Sequence, residues 1–164
     1  MHNRSVAVFD RFLAALSAIL TKAEAHCEAK KYKPEIILAD RLFPDMFSFT
    51  RQVQLTCDFA ARGAARLAGA EPKGFPDEET TFAELKNRIA AARGYMGSFQ
   101  ASDFDHADTR EVHFKAGGRD MTLTGDDFLS FYSLPQFFFH ITTAYDILRQ
   151  CGVELGKRDY MGAP

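Results

Sequence analysis

Residues 126–152, DDFLSFYSLPQFFFHITTAYDILRQCG, constrain this chain more than any other stretch. The segment holds Phe128, Phe131, Tyr132, Phe137, Phe138, Phe139 and Tyr145, with one imidazole, His140, in its middle. A segment this apolar needs cover on several sides, which a helix obtains by standing at the centre of a bundle. Gly125 and Asp126 are the expected cap. Pro135 lacks a backbone donor and crowds the preceding turn, so the helix should kink or divide there.

Three other segments supply partners. Over residues 5–29, Val6, Phe9, Leu13, Leu16 and Leu20 recur at helical spacing behind Ser5, a suitable N-cap. A second helix is expected over residues 44–68, opening at Pro44 and stopping at Gly69, with Met46, Phe49, Val53, Leu55, Cys57, Ala60, Ala64 and Leu67 on its apolar face. Thr81–Phe82–Ala83–Glu84 is a capping box that opens a third helix, with Phe82, Leu85, Ile89, Ala92, Met96 and Phe99 as its stripe. Between these lie an Ile36–Ile37–Leu38 segment, readable as a strand or a helical turn, and a Pro/Gly loop at residues 70–77. Residues 110–124 alternate around Ala116–Gly117–Gly118–Arg119, the pattern of a β-hairpin. The polar tail, residues 153–164, should wrap the surface. No repeat or linker divides the 164 residues, so one domain over 1–164 is expected.

Composition narrows the function classes. Hydrophobic residues make up 46% and the net charge is -2, which suits a packed core and argues against a dedicated nucleic-acid binder. Asp10 and Arg11 interrupt the first apolar segment, and no run approaches the roughly 18 residues of a membrane span. Cys27, Cys57 and Cys151 are an odd, widely spaced set, which fits a reducing, cytoplasmic setting better than a disulfide framework.

His140 is the first candidate for chemistry, because a buried neutral imidazole needs hydrogen-bond partners and is also a common metal ligand. Gln136 stands one turn before it, giving QxxxH where a two-histidine site would read HxxxH. An amide oxygen is a weak ligand for zinc or nickel. Tyr145 could present a hydroxyl to a pocket, and Gln52, Gln54 and Asp58 of the second long helix could line the bundle interior. No acid there has ExxH spacing, so a di-iron carboxylate site is not indicated. There is no GxSxG elbow, phosphate loop or dinucleotide fingerprint.

QFFFHITTAYDILRQCG, ending in LRQxG, resembles the last helix of the DinB/YfiT-like superfamily. RLFPDMFSFTRQVQ with HITTAYDILRQCGVELGKRDYMG resembles, more closely, an uncharacterised bacterial domain-of-unknown-function family within it. The resemblance covers essentially the whole chain. It implies an all-α four-helix bundle in up-down-down-up order, with the hairpin inserted before the last helix, and a homodimer. Many superfamily members bind a divalent metal through one histidine of the second long helix and an HxxxH pair in the last. Aligned on LRQxG, His140 takes the second position of that pair and Gln136 the first, while Gln52 and Gln54 stand near the level of the other histidine. The expectation is therefore a cytoplasmic bundle without a resident cofactor, with a small-molecule pocket near His140. The alternatives are a metal-dependent transferase or hydrolase using zinc or nickel, and a dimeric interaction module without catalysis.

Overall fold

The computed structural model of the protein describes residues 1–162; the end of the expected surface tail, residues 163–164, lies outside them. In chain order the main elements are α1 (Val6–Lys30), α2 (Pro34–Ala39), α3 (Phe49–Leu67), α4 (Phe82–Gly97), β1 (Glu111–Ala116), β2 (Arg119–Thr124), α5 (Gly125–Phe128), α6 (Leu134–Gln150) and α7 (Lys157–Met161). The fold is mainly helical with one small antiparallel hairpin. One apolar cluster runs through it, and Phe9, Phe49, Phe82, Phe128 and Phe137 are fully buried there. Each such side chain contributes roughly 1.5–3 kcal/mol of transfer free energy.

Helix starts follow local chemistry, with three departures from the sequence expectations. Ser5 does occupy the N-cap of α1, but its hydroxyl donates backwards to the carbonyls of Met1 and His2 and caps no helical N–H. The second long helix begins at Phe49, not Pro44. Ser48 is extended and its hydroxyl accepts from the Arg51 N–H, so the capping side chain sets the start and Pro44 stays in the preceding loop. The last helical run is capped by Thr124, whose hydroxyl accepts from the Asp127 N–H, and not by Gly125 or Asp126. The capping box at Thr81 and Glu84 forms as the sequence suggests. Ile36–Leu38 is helical, opened by Pro34 in the first turn.

The long aromatic segment stays helical through Pro135 but changes register just before it. A single π turn, Leu129–Ser133, links α5 to α6, and Pro135 then sits in the first turn of α6, where no intrahelical donor is needed. The hairpin pairs Glu111 with Thr124 and Ala116 with Arg119 around Gly117 and Gly118, both at positive φ. Val112 and Phe114 are its buried face, and Phe114 packs on Phe128 and Tyr132. The tail does not simply skirt the surface: Val153 and Leu155 are buried, and α7 lies on α1, held by Lys22–Asp159 at 2.6 Å and by Arg11 donating to the Met161 carbonyl.

Candidate functional site

α3 packs chiefly against α6 and α4. Towards α6, Gln52 and Phe59 meet His140. The Gln52 amide donates from Nε2 to the Phe47 carbonyl at 3.3 Å, so Oε1 faces α6. There it accepts from Nδ1–H of His140 at 2.8 Å, which leaves Nε2 of the ring as the lone-pair nitrogen. Nε2 has no hydrogen-bond partner among the described residues. The imidazole is 6% exposed, stacks on Phe59 at 5.3 Å and 12°, and meets the edge of Phe139. Burial, reinforced by the Arg51 guanidinium, lowers its pKa from 6.5 to about 4. His140 is therefore a neutral hydrogen-bond acceptor at pH 7, with Nε2 as the accepting atom and Gln52 holding that tautomer.

Towards α4 the same helix builds a different structure. Arg88, with its side chain 1% exposed, bonds Asp58 at 2.7 Å, Glu79 at 2.9 Å, Asp77 at 3.0 Å and the Pro76 carbonyl at 2.7 Å. Arg62 adds a second bond to Asp58 at 3.0 Å, Arg51 pairs with Asp77, and Gln54 donates to Glu79 at 2.8 Å. Burial raises the Asp58 pKa above the usual carboxylate value, with Arg62 and Arg88 opposing it. Cys57, enclosed beside this cluster, is pushed up to about 12, mainly by burial, and stays a thiol. The network ties the loop between α3 and α4 onto the bundle.

The six candidate residues thus fall into four places. His140 and Gln52 are joined. Gln136 lies one turn before His140 on α6, half-buried, with no hydrogen bond among the described residues. Gln54 and Asp58 are buried, as lining residues would be, but belong to the Arg88 network on the other side of α3. Tyr145 faces α7: it packs on Tyr160 and lines a separate cavity of about 170 Å³ with Thr142, Asp146 and Lys157. Sequence reasoning missed Arg88 and Phe59. A signal for Arg88 existed, since it falls within the apolar stripe of α4, between Leu85 and Ile89, where a cation needs buried acids.

The donor set around His140 is one imidazole and neutral amides, with the Gln52 oxygen already engaged by Nδ1–H. It does not match a three-histidine centre. Among the described residues no group of three or more His, Cys, Asp or Glu side chains is placed to hold a metal ion.

This architecture is that of a DinB-like protein. A crystal structure of a DinB family member from Shewanella denitrificans superposes with a TM-score of 0.93 at 42% identity, covering 99% of this chain and 92% of that one. The chain belongs to the family described as a domain of unknown function, DUF1993, which matches residues 1–161. No curated protein matches it.

Proposed function

We propose that this DUF1993 protein works without the three-histidine metal centre of its wider superfamily and offers a small organic ligand the neutral Nε2 edge of His140. The 2.8 Å bond from His140 Nδ1–H to Gln52 carries this reading, because it commits the amide at the histidine level of α3 to orienting the ring. A depressed imidazole pKa suits an acceptor that stays unprotonated at neutral pH. The up-down-down-up order implied by the superfamily is part of the same reading. It is supported by the pairs Asp10–Arg93 and Glu24–Lys86 between α1 and α4, Asp58–Arg88 between α3 and α4, and Gln52–His140 between α3 and α6.

Metal analysis of untagged protein tests the proposal. Zinc and nickel should stay far below one equivalent, while Gln52→His combined with Gln136→His should acquire zinc. Stoichiometric metal in the unaltered chain that disappears in His140→Ala would overturn it and support the metal-dependent transferase or hydrolase instead.

A homodimer is a compatible second reading, favoured by Phe43, Phe47, Phe131 and Phe139, which are 55–77% exposed. Sedimentation as a monomer at micromolar concentration would remove it.

A further inference from the structure

α3 is buried on nearly every side. Beyond Thr50 in its first turn, its partly exposed residues are Arg51, Leu55, Phe59, Arg62 and Arg66. At 100° per residue these fall within one sector of roughly 80°, so they form a single stripe along the helix. His140 borders this stripe through its stacking on Phe59.

The three arginines of the stripe are not equivalent. Arg51 is matched by Asp77 and Arg62 by Asp58. Arg66 has neither an ion pair nor a side-chain hydrogen bond among the described residues. Glu71 is close enough to act on it but forms no bridge. Its guanidinium instead lies over Phe114 at 5.9 Å. Phe114 packs on Tyr132 at 4.5 Å, and Tyr132 meets Phe59 at 6.1 Å. A chain of aromatic contacts, Phe59 to Tyr132 to Phe114, therefore runs from the ring of His140 to the unpaired guanidinium of Arg66. Burial, and less strongly the like charge of Arg62, lower the Arg66 pKa, while Tyr132 and Glu71 oppose them without forming a hydrogen bond or ion pair to the guanidinium.

We propose that Arg66 is the anion-binding end of a ligand site whose other end is His140. The ligand class is an organic acid with an aromatic body: its carboxylate pairs with Arg66, the body lies along Phe59 and Tyr132, and a hydroxyl or N–H at the far end donates to Nε2 of His140. Phe59, on which His140 stacks, and Arg66 are seven residues apart, about 10 Å along the axis, so the ligand spans on the order of two helical turns. The His140 end rests on the metal-free reading given above; the Arg66 end does not.

The test is titration of para-hydroxyphenylpropionate into the full chain, followed by calorimetry and by the side-chain nitrogen resonances of Arg66 and His140. The expected result is saturable binding that weakens at least about tenfold for the corresponding amide and in Arg66→Gln, the scale of a charge-assisted bond. Arg66→Lys should retain most of the affinity, and Arg119→Gln, on the exposed hairpin, should retain all of it. Equal affinity for acid and amide, unchanged binding in a folded Arg66→Gln, or no saturable binding at millimolar acid would overturn the Arg66 assignment. If Arg66→Gln melts early, the acid–amide comparison on the unaltered chain decides. Arg66-dependent binding that ignores both removal of the phenol and His140→Phe would overturn the His140 end, and with it the function proposed above, while the Arg66 end stood.

Discussion

Gln52 and His140, 88 positions apart, meet at 2.8 Å across the α3–α6 interface, and the bond fixes which ring nitrogen of the histidine carries the proton. The pair is the acceptor, tautomer and orientation of the candidate site in one contact.

The histidine should titrate far below its usual range. Folding lowers its pKa from 6.5 to about 4, so between those values the unfolded chain binds the additional proton. Stability contributed by His140 staying neutral is thus present above about pH 6.5 and is lost as pH falls to about 4, an effect on the order of 3 kcal/mol. Chemical denaturation across this window should show a steeper rise of stability with pH for the unaltered chain than for His140→Gln, which keeps a donor towards Gln52 without titrating. Identical slopes would mean that the imidazole is not desolvated as described.

Removing the acceptor should be more costly than removing its neighbour. Gln52→Leu leaves Nδ1–H of a buried ring unsatisfied, a loss of about 1–3 kcal/mol. Gln136→Leu removes a half-buried amide with no hydrogen bond among the described residues and should stay within about 0.5 kcal/mol. Nitrogen chemical shifts should also show mixed tautomers in Gln52→Leu. Equal costs for the two substitutions would deny Gln52 its positioning role.

What the sequence made legible was local. The capping box at Thr81 and Glu84, the hairpin turn at Gly117–Gly118 and the long apolar stripes each lie within a few residues or one helical period, so their physics is visible in one window. The start of α3 was misplaced because Pro44 is permitted in a first turn but Ser48 holds the cap. The burial of His140 is legible from its aromatic flanks, whereas its partner is not: Gln52, Gln54 and Asp58 of α3 all stand as candidates in the sequence. Gln52 and Gln54 are two residues apart, on opposite sides of α3, and only packing assigns one to α6 and the other to Glu79. Tyr145, five residues beyond His140, was grouped with it by proximity in the chain, but the helical turn carries it round towards α7.

The Arg88 network should behave as a latch on the loop between α3 and α4. Arg88→Met removes the cation shared by Asp58 and Glu79 and leaves them Arg62 and the Gln54 amide, so the cost should fall near the lower end of the about 3–5 kcal/mol for breaking a buried pair. Arg51→Gln, at the half-exposed pair with Asp77, should cost less than about 1 kcal/mol. Limited proteolysis should cut residues 70–80 faster in Arg88→Met than in Arg51→Gln at matched global stability. Equal cleavage would show that the loop is held by something other than Arg88.

The π turn before α6 should depend on Gly63. A Cβ at that position would overlap Ser133 Oγ, a buried hydroxyl with no partner, and would come into van der Waals contact with the Phe9 ring. Ser133 belongs to the π turn, so the absent side chain at Gly63 is what lets α3 approach the segment that aims α6 and, seven residues on, His140. Gly63→Ala should destabilise the fold by about 1–3 kcal/mol through overpacking. Ser133→Ala alone should be nearly neutral or stabilising, since it removes an unsatisfied hydroxyl. In the double variant the clash with Oγ is gone, so most of the loss should be recovered, a coupling of about 0.5–3 kcal/mol between the two sites. Additive costs would mean that the obstacle is the Phe9 ring, and that Ser133 is not what confines residue 63 to glycine.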